Sequence, residues 1–121
     1  MSVSHVLLCA AVRTAIGTYG GTLKEIPATE LGAAAIRATL ERAQLDGAGI
    51  DTVVMGQVVQ AGSKMNPARQ AAIAAGIPAS VPAMTVNRVC GSGAQAIATA
   101  AQEVMLGFVK SAIAGGMENM D

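Results

Sequence analysis

Residues 91–106 are small and apolar on nearly every side of a helical wheel, with Gln95, Thr99 and Gln102 as the one narrow polar stripe. A helix of that texture is buried on most sides, more than a single small domain has elements to cover. Four apolar runs read as strands, at residues 4–13, 52–59, 83–87 and 111–115. Two further helices fit between them. One spans residues 31–43, with Thr29 at its N-cap, an apolar stripe of Leu31, Ala34, Ala35, Ala38 and Leu40, and Arg37, Glu41 and Arg42 on the other side. Gly47 and Gly49 close it. The other spans residues 67–75, with Pro67 in its first turn and Gly76 and Pro78 after its end. Strands alternating with helices predict an α/β fold with a mostly parallel sheet.

A chain of 121 residues has room for one domain, residues 1–121, and for a real core. Aromatic residues are nearly absent (Tyr19 and Phe108 only), so the core must rely on close backbone approach rather than on bulky anchors. Charged residues make up only 13%, which predicts that part of the surface is covered by something outside these residues. Eight basic residues balance eight acidic ones, and nothing points to nucleic acid or an anionic membrane as partner. The apolar run at residues 6–12 has no charged segment before it and no cleavage pattern after it, so it reads as strand rather than signal peptide. No stretch is long and apolar enough to span a bilayer. Cys9 and Cys90 have neither metal-ligand spacing nor a disulfide framework. A reducing cytoplasm is the expected location, and no metal site is expected.

The run Asn87-Arg88-Val89-Cys90-Gly91-Ser92-Gly93 places a thiol where a strand passes into a helix N-terminus. Unpaired amides there point outward and the helix dipole favours negative charge, so the thiolate, which is the nucleophile, is favoured. The same amides, that of Cys90 included, are candidate donors to the oxyanion formed when a thioester carbonyl is attacked. A cysteine in an Ala/Gly-rich segment is more often an inert packing residue. Cys9, mid-strand with no cap or glycine beside it, reads as such a core residue. A second reading of the same turn is a dinucleotide-binding or non-catalytic α/β module. Gly91-Ser92-Gly93-Ala94-Gln95-Ala96 fits G-x-G-x-x-G/A after a strand, and Glu118 is an acidic residue after the next strand.

Several motifs together resemble the thiolase family. Val86 to Ala96 is similar to its nucleophile motif. Arg13-Thr14-Ala15-Ile16-Gly17 with Gly20, Gly21 and Leu23 resembles its first loop. Gly56-Gln57-Val58, Gln60-Ala61-Gly62, Asn66-Pro67-Ala68-Arg69-Gln70-Ala71-Ala72 and Ala75-Gly76-Ile77-Pro78 resemble its second. Gly115-Gly116-Met117-Glu118-Asn119-Met120 resembles the loop after the buried helix. These motifs run in order over residues 5–121. The sequence departs from the family at Ala15 (often Pro), at Lys64-Met65 (often Gly-Gln), and at Asn119 and Asp121 (often Ser).

The resemblance implies the N-terminal part of the thiolase fold, with a buried Ala/Gly-rich helix after the nucleophile. It also implies an acyl-CoA acyltransferase that forms or cleaves 3-ketoacyl-CoA through an acyl-thioester on Cys90. The coenzyme A thioester is then substrate, and no cofactor is bound covalently. Thiolases are longer, with two similar halves and a coenzyme A-holding loop domain, and their activating His and second Cys lie beyond the part matched here. His5, the only His of this chain, matches no family motif. A complementary polypeptide is therefore expected. So is a dimer or tetramer, because the strand before the nucleophile pairs with its own copy in resembling enzymes. Another condensing enzyme of the same superfamily, such as a ketoacyl synthase, is the nearest rival, and Cys-Gly-Ser-Gly with Asn-Pro-Ala-Arg-Gln favours thiolase.

Overall fold

A computed structural model describes residues 5–121. Three parallel strands form the sheet: β1 (Thr52–Gly56) lies in the middle, flanked by β2 (Ala83–Val86) and β3 (Ala112–Gly116). Val54 pairs with Met84 on one side and with Ala114 on the other. Every residue of β1 is buried, as a strand covered on both faces must be.

Alternation along the strands separates two cores. Val53, Met55 and Ile113 face α1 (Ala28–Ala43) and α2 (Pro67–Ala74), where Ile36, Leu40, Ala68, Ala71 and Ala72 complete the larger core. Val54 faces α3 (Ser92–Met105) on the other side, packing with Ala96 and Ala100 between the half-buried Val86, Ala112 and Ala114. The result is three layers, helix over sheet over helix. The expected α/β class and parallel sheet are present.

Helix boundaries differ from expectation in instructive ways. α1 begins at Ala28, so Thr29 lies inside it. Pro27 takes the N-cap position, and its carbonyl accepts from the amides of Glu30 (2.9 Å) and Leu31 (3.2 Å). The helix ends at Gln44, which adopts the left-handed conformation (φ 56°) before either glycine is reached. Gly47–Gly49 instead form a short 3-10 turn capped by the Asp46 carboxylate, which accepts from the Ala48 amide (2.9 Å). At α2, Pro67 is in the first turn as expected, and the Asn66 side chain caps the helix by accepting from the Arg69 amide (3.3 Å).

Two expectations fail. Ser4 lies outside the described residues, and residues 5–13 form no strand. Several of their apolar side chains face outward; Leu7 is 86% exposed, and Cys9, expected in the core, is exposed too. An apolar β-branched run becomes a strand only if another strand pairs with it. Among the described residues this segment's backbone is tied by one side chain, Arg42, which donates to the Ala11 carbonyl (2.6 Å). The second failure is at α3. Only Ser92, Ala96 and Ala100 are buried, so the helix is covered along the sheet and open elsewhere, with Ile97, Met105 and Leu106 exposed.

Candidate active site

The three strands end side by side, Gly56 opposite Val86 and Gly116. The loops that leave them share one edge of the sheet, where ligands bind in open parallel sheets. Cys90 lies in the loop after β2, at the entrance to α3, and its side chain is exposed. Two close approaches bring the helix start onto this edge. A Cβ built on Gly56 would stand 2.5 Å from the Ser92 carbonyl carbon, and one on Gly116 would stand 3.3 Å from the Gly93 Cα. No other residue type fits at Gly56 without moving α3.

Between strand and helix the backbone makes a sharp elbow. Val89 adopts φ 49°, in the left-handed region that a β-branched residue enters only at a cost. Two side chains hold it there. The Asn87 Oδ1 accepts from the Val89 amide (2.9 Å), while its Nδ2 donates to the Val58 carbonyl in the loop after β1 (2.9 Å). The buried Ser92 Oγ accepts from the Arg88 amide (2.8 Å) and donates to the Val89 carbonyl (2.6 Å). Arg88 reaches forward to the Gln95 Oε1 (2.6 Å). Strain persists where its surroundings over-determine it, and this turn is pinned from both sides.

The elbow leaves donors free. The amides of Gly91, Ser92 and Gln95 are spent on the carbonyls of Arg88, Val89 and Gly91. Among the described residues no acceptor takes the amide hydrogens of Cys90, Gly93 or Ala94. An exposed thiol thus sits beside unpaired amides at a helix N-terminus, an arrangement that can hold an oxyanion.

The neighbouring loops are stitched to one another. Glu118, after β3, accepts through Oε2 from the amides of Val58 (2.7 Å) and Val59 (3.3 Å). The buried Gln57 donates to the Val59 carbonyl and the Ser63 Oγ, both at 2.9 Å. Two of the positions that depart from the thiolase pattern tie down the first loop. Asn119 donates to the carbonyls of Leu23, Lys24 and Ile26, the last at 2.7 Å, and Asp121 accepts from the Gly20 amide (2.6 Å).

The second reading of the turn fares poorly against this geometry. Ser92 is folded back onto the elbow and Gly93 lies against Gly116, so these residues serve helix–sheet packing. Glu118, the acidic residue of that reading, is engaged through its Oε2 by two loop amides and its Oε1 is buried, so its carboxylate serves the loop after β1. Among the described residues no cluster of His, Cys, Asp and Glu could hold a metal ion. His5 is exposed on the segment before the first loop. An open groove of about 440 Å³ lies between residues 12–19 and 116–121, lined by Arg13, Tyr19, Leu23 and Glu118 among others, and does not reach Cys90.

The roles of Asn87, Ser92 and Glu118 were not read from the sequence. An Asn two residues before a residue in a tight turn is a signal for Asn87, because its side chain commonly accepts from that amide. No such local signal exists for Glu118, whose partners lie some sixty positions away.

Comparison with known proteins gives a consistent result. Residues 6–121 match the family model described as thiolase, N-terminal domain. The chain is 54% identical over 118 residues to an acetyl-CoA acetyltransferase of Cupriavidus necator, covering 98% of this chain and 30% of that relative. It is 55% identical to an acetyl-CoA acetyltransferase of Pseudomonas aeruginosa over the same shares. The crystal structure of the Bacillus anthracis acetyl-CoA acetyltransferase superposes with a TM-score of 0.85 at 40% identity, covering 88% of this chain and 27% of that one. The chain spans about 30% of the length of the curated relatives it matches.

Proposed function

This chain belongs to the thiolase family, and on that premise we propose that it carries the nucleophile of an acyl-CoA acyltransferase, Cys90. The observation that carries the reading is the elbow: an exposed thiol after a strained residue, at the carboxyl edge of a parallel sheet, beside unpaired amides. Relatives named acetyl-CoA acetyltransferase support a coenzyme A thioester as substrate.

In this reading the Cys90 sulfur attacks the thioester carbonyl, and electrons move onto the oxygen, where the free amides stabilise them. The oxyanion collapses, the carbon–sulfur bond to coenzyme A breaks, and an acyl group remains on Cys90. A second acyl-CoA, deprotonated at its α-carbon, then attacks that acyl group and releases a 3-ketoacyl-CoA; thiolysis is the reverse. This step needs a base for the α-proton. We assign that base, together with the group that accepts the Cys90 proton, to the polypeptide supplying the rest of the thiolase fold.

That polypeptide also covers the open faces: the exposed Leu7 and Leu8, and the outer side of α3. β2 is an outer strand with an unprotected edge, and we assign it to pairing with a second copy, giving a dimer or a dimer of dimers. No helix among the described residues is long and apolar enough to cross a membrane. We place the assembled protein in the cytoplasm and assign it no prosthetic group.

The test is Cys90→Ser in the assembled protein, with thiolysis of acetoacetyl-CoA as the assay. Turnover should fall by at least about a thousandfold while the melting temperature stays close to the parent's. Iodoacetamide should label Cys90 well ahead of Cys9, and acyl-CoA should protect Cys90. Retained turnover in Cys90→Ser would overturn the assignment.

A further inference from the structure

Resting on the assignment of Cys90 as nucleophile, we infer that Glu118 is a positioning residue for it, acting through hydrogen bonds that join the loops after all three strands. Glu118, after β3, accepts from the Val58 amide (2.7 Å). The Val58 carbonyl, after β1, accepts from the Asn87 Nδ2 (2.9 Å). The Asn87 Oδ1, after β2, accepts from the Val89 amide (2.9 Å), and Val89 is bonded to Cys90.

The first two links cross from loop to loop and the third closes onto the elbow itself, so the chain fixes the elbow relative to the sheet. Ser92 clamps the same elbow to the helix. A backbone held at φ 49° by a valine relaxes if either anchor is released. Asn87 can hold Val89 only while the Val58 carbonyl stays in place. That carbonyl lies on a loop whose two consecutive amides, of Val58 and Val59, end on one carboxylate oxygen. The other oxygen, Glu118 Oε1, is buried with no donor among the described residues. A half-satisfied buried carboxylate carries a desolvation cost, which is understandable if holding this loop is its task. The chemistry required of the side chain is therefore an acceptor at Oε2 and not a charge.

The experiment uses the assembled enzyme and separates position from binding. Glu118→Ala should lower kcat by roughly tenfold or more, with KM changed by less than about threefold, as expected when a reacting atom is misplaced. Glu118→Gln keeps an oxygen for both amides and should restore most of that loss. Asn87→Asp keeps the acceptor for Val89 but removes the donor to Val58; its side chain is exposed, so the fold should tolerate it. It should reproduce the kcat loss, and adding Glu118→Ala to it should cost little more. The inference is overturned if Glu118→Ala keeps parental kcat, if Glu118→Gln is as impaired as Glu118→Ala, or if the two losses multiply. Should Glu118→Ala fail to fold, Asn87→Asp decides alone, and parental kcat there overturns the relay. Cys90→Ser run in parallel separates the two failures: if it retains turnover, the nucleophile assignment has failed rather than the relay.

Discussion

The two ends of the sheet handle backbone strain differently. At the amino ends of the strands the left-handed positions fall just after helices, at Gln44, Gly76 and Gly107. Two of the three are glycines, for which that conformation costs little. At the carboxyl ends the left-handed residues are Gly62, Lys64, Asn66 and Val89, three of which carry side chains. Valine is the least suited of these, and it is bonded to Cys90. Amino-end loops are secured by Asp46, which caps the turn that follows it, by Arg69, which donates to the carbonyls of Ala79 and Val81, and by Asp51, which reaches the turn before β3. Carboxyl-end loops are secured across the sheet edge, by Glu118, Asn87 and Asn119. One end minimises strain and the other holds it in place. That division matches a scaffold that presents a reactive group at the carboxyl edge.

The largest stability effect expected from this contrast comes from paired glycine substitutions. Gly56→Ala puts a methyl group 2.5 Å from the Ser92 backbone, so α3 and the elbow must shift. A loss of roughly 3 kcal/mol is expected in denaturant unfolding of the assembled protein, with acyl transfer falling in parallel. At the other end, a Cβ on Gly49 meets nothing within 4 Å, and Gly49→Ala should stay within about 0.5 kcal/mol of the parent. Equal effects at the two positions would break the contrast.

Swapping glycine in opposite directions sharpens it. Gly76 has φ 90° and open space around its missing Cβ, so Gly76→Ala should cost about 1 kcal/mol from backbone strain alone. Val89→Gly relieves strain of about 1–2 kcal/mol, partly offset by about 0.5–1 kcal/mol of chain entropy. Its melting temperature should therefore match or exceed the parent's while turnover falls, because the elbow is free to open. A destabilised Val89→Gly would mean that the turn is not strained in the sense argued.

The same contrast explains what could be read from the sequence. Strands β1, β2 and β3, all three helices and the position of Cys90 at a helix start were legible, because periodicity and punctuation are local. Strand ends were overestimated after β1, where Gln57 and Val58 turn into the stitched loop, since apolar character continues after pairing stops. Residues 5–13 have strand character but no partner strand among the described residues, and Cys9 is exposed with them. The texture of α3 leads to the expectation of burial on most sides, whereas among the described residues only its sheet-facing side is covered. The Glu118–Val58–Asn87 chain was not legible, because each of its links joins residues brought together only by the sheet.

The smallest effect concerns Asp51, at the amino end. Its Oδ2 accepts from the amides of Lys110 (2.8 Å) and Ser111 (3.2 Å), joining the start of β1 to the turn before β3. The Lys110 amide first, then that of Ser111, holds its carboxyl below the usual value of 3.8, against a smaller opposing effect of burial. The folded protein therefore binds this proton more weakly than the unfolded chain does. The contribution to stability is fully present above the unfolded value and is lost as pH falls through the lower, folded one. Asp51→Asn should melt slightly below the parent at neutral pH, and the gap should narrow as pH drops below about 4. The side chain is exposed, so the gap should also shrink in high salt to the extent that the Lys110 charge contributes. Because the clamp is remote from the elbow, turnover should not change. A loss of turnover in Asp51→Asn without a loss of stability would show that the amino end shapes the site as well, and the division of labour between the two ends would have to be abandoned.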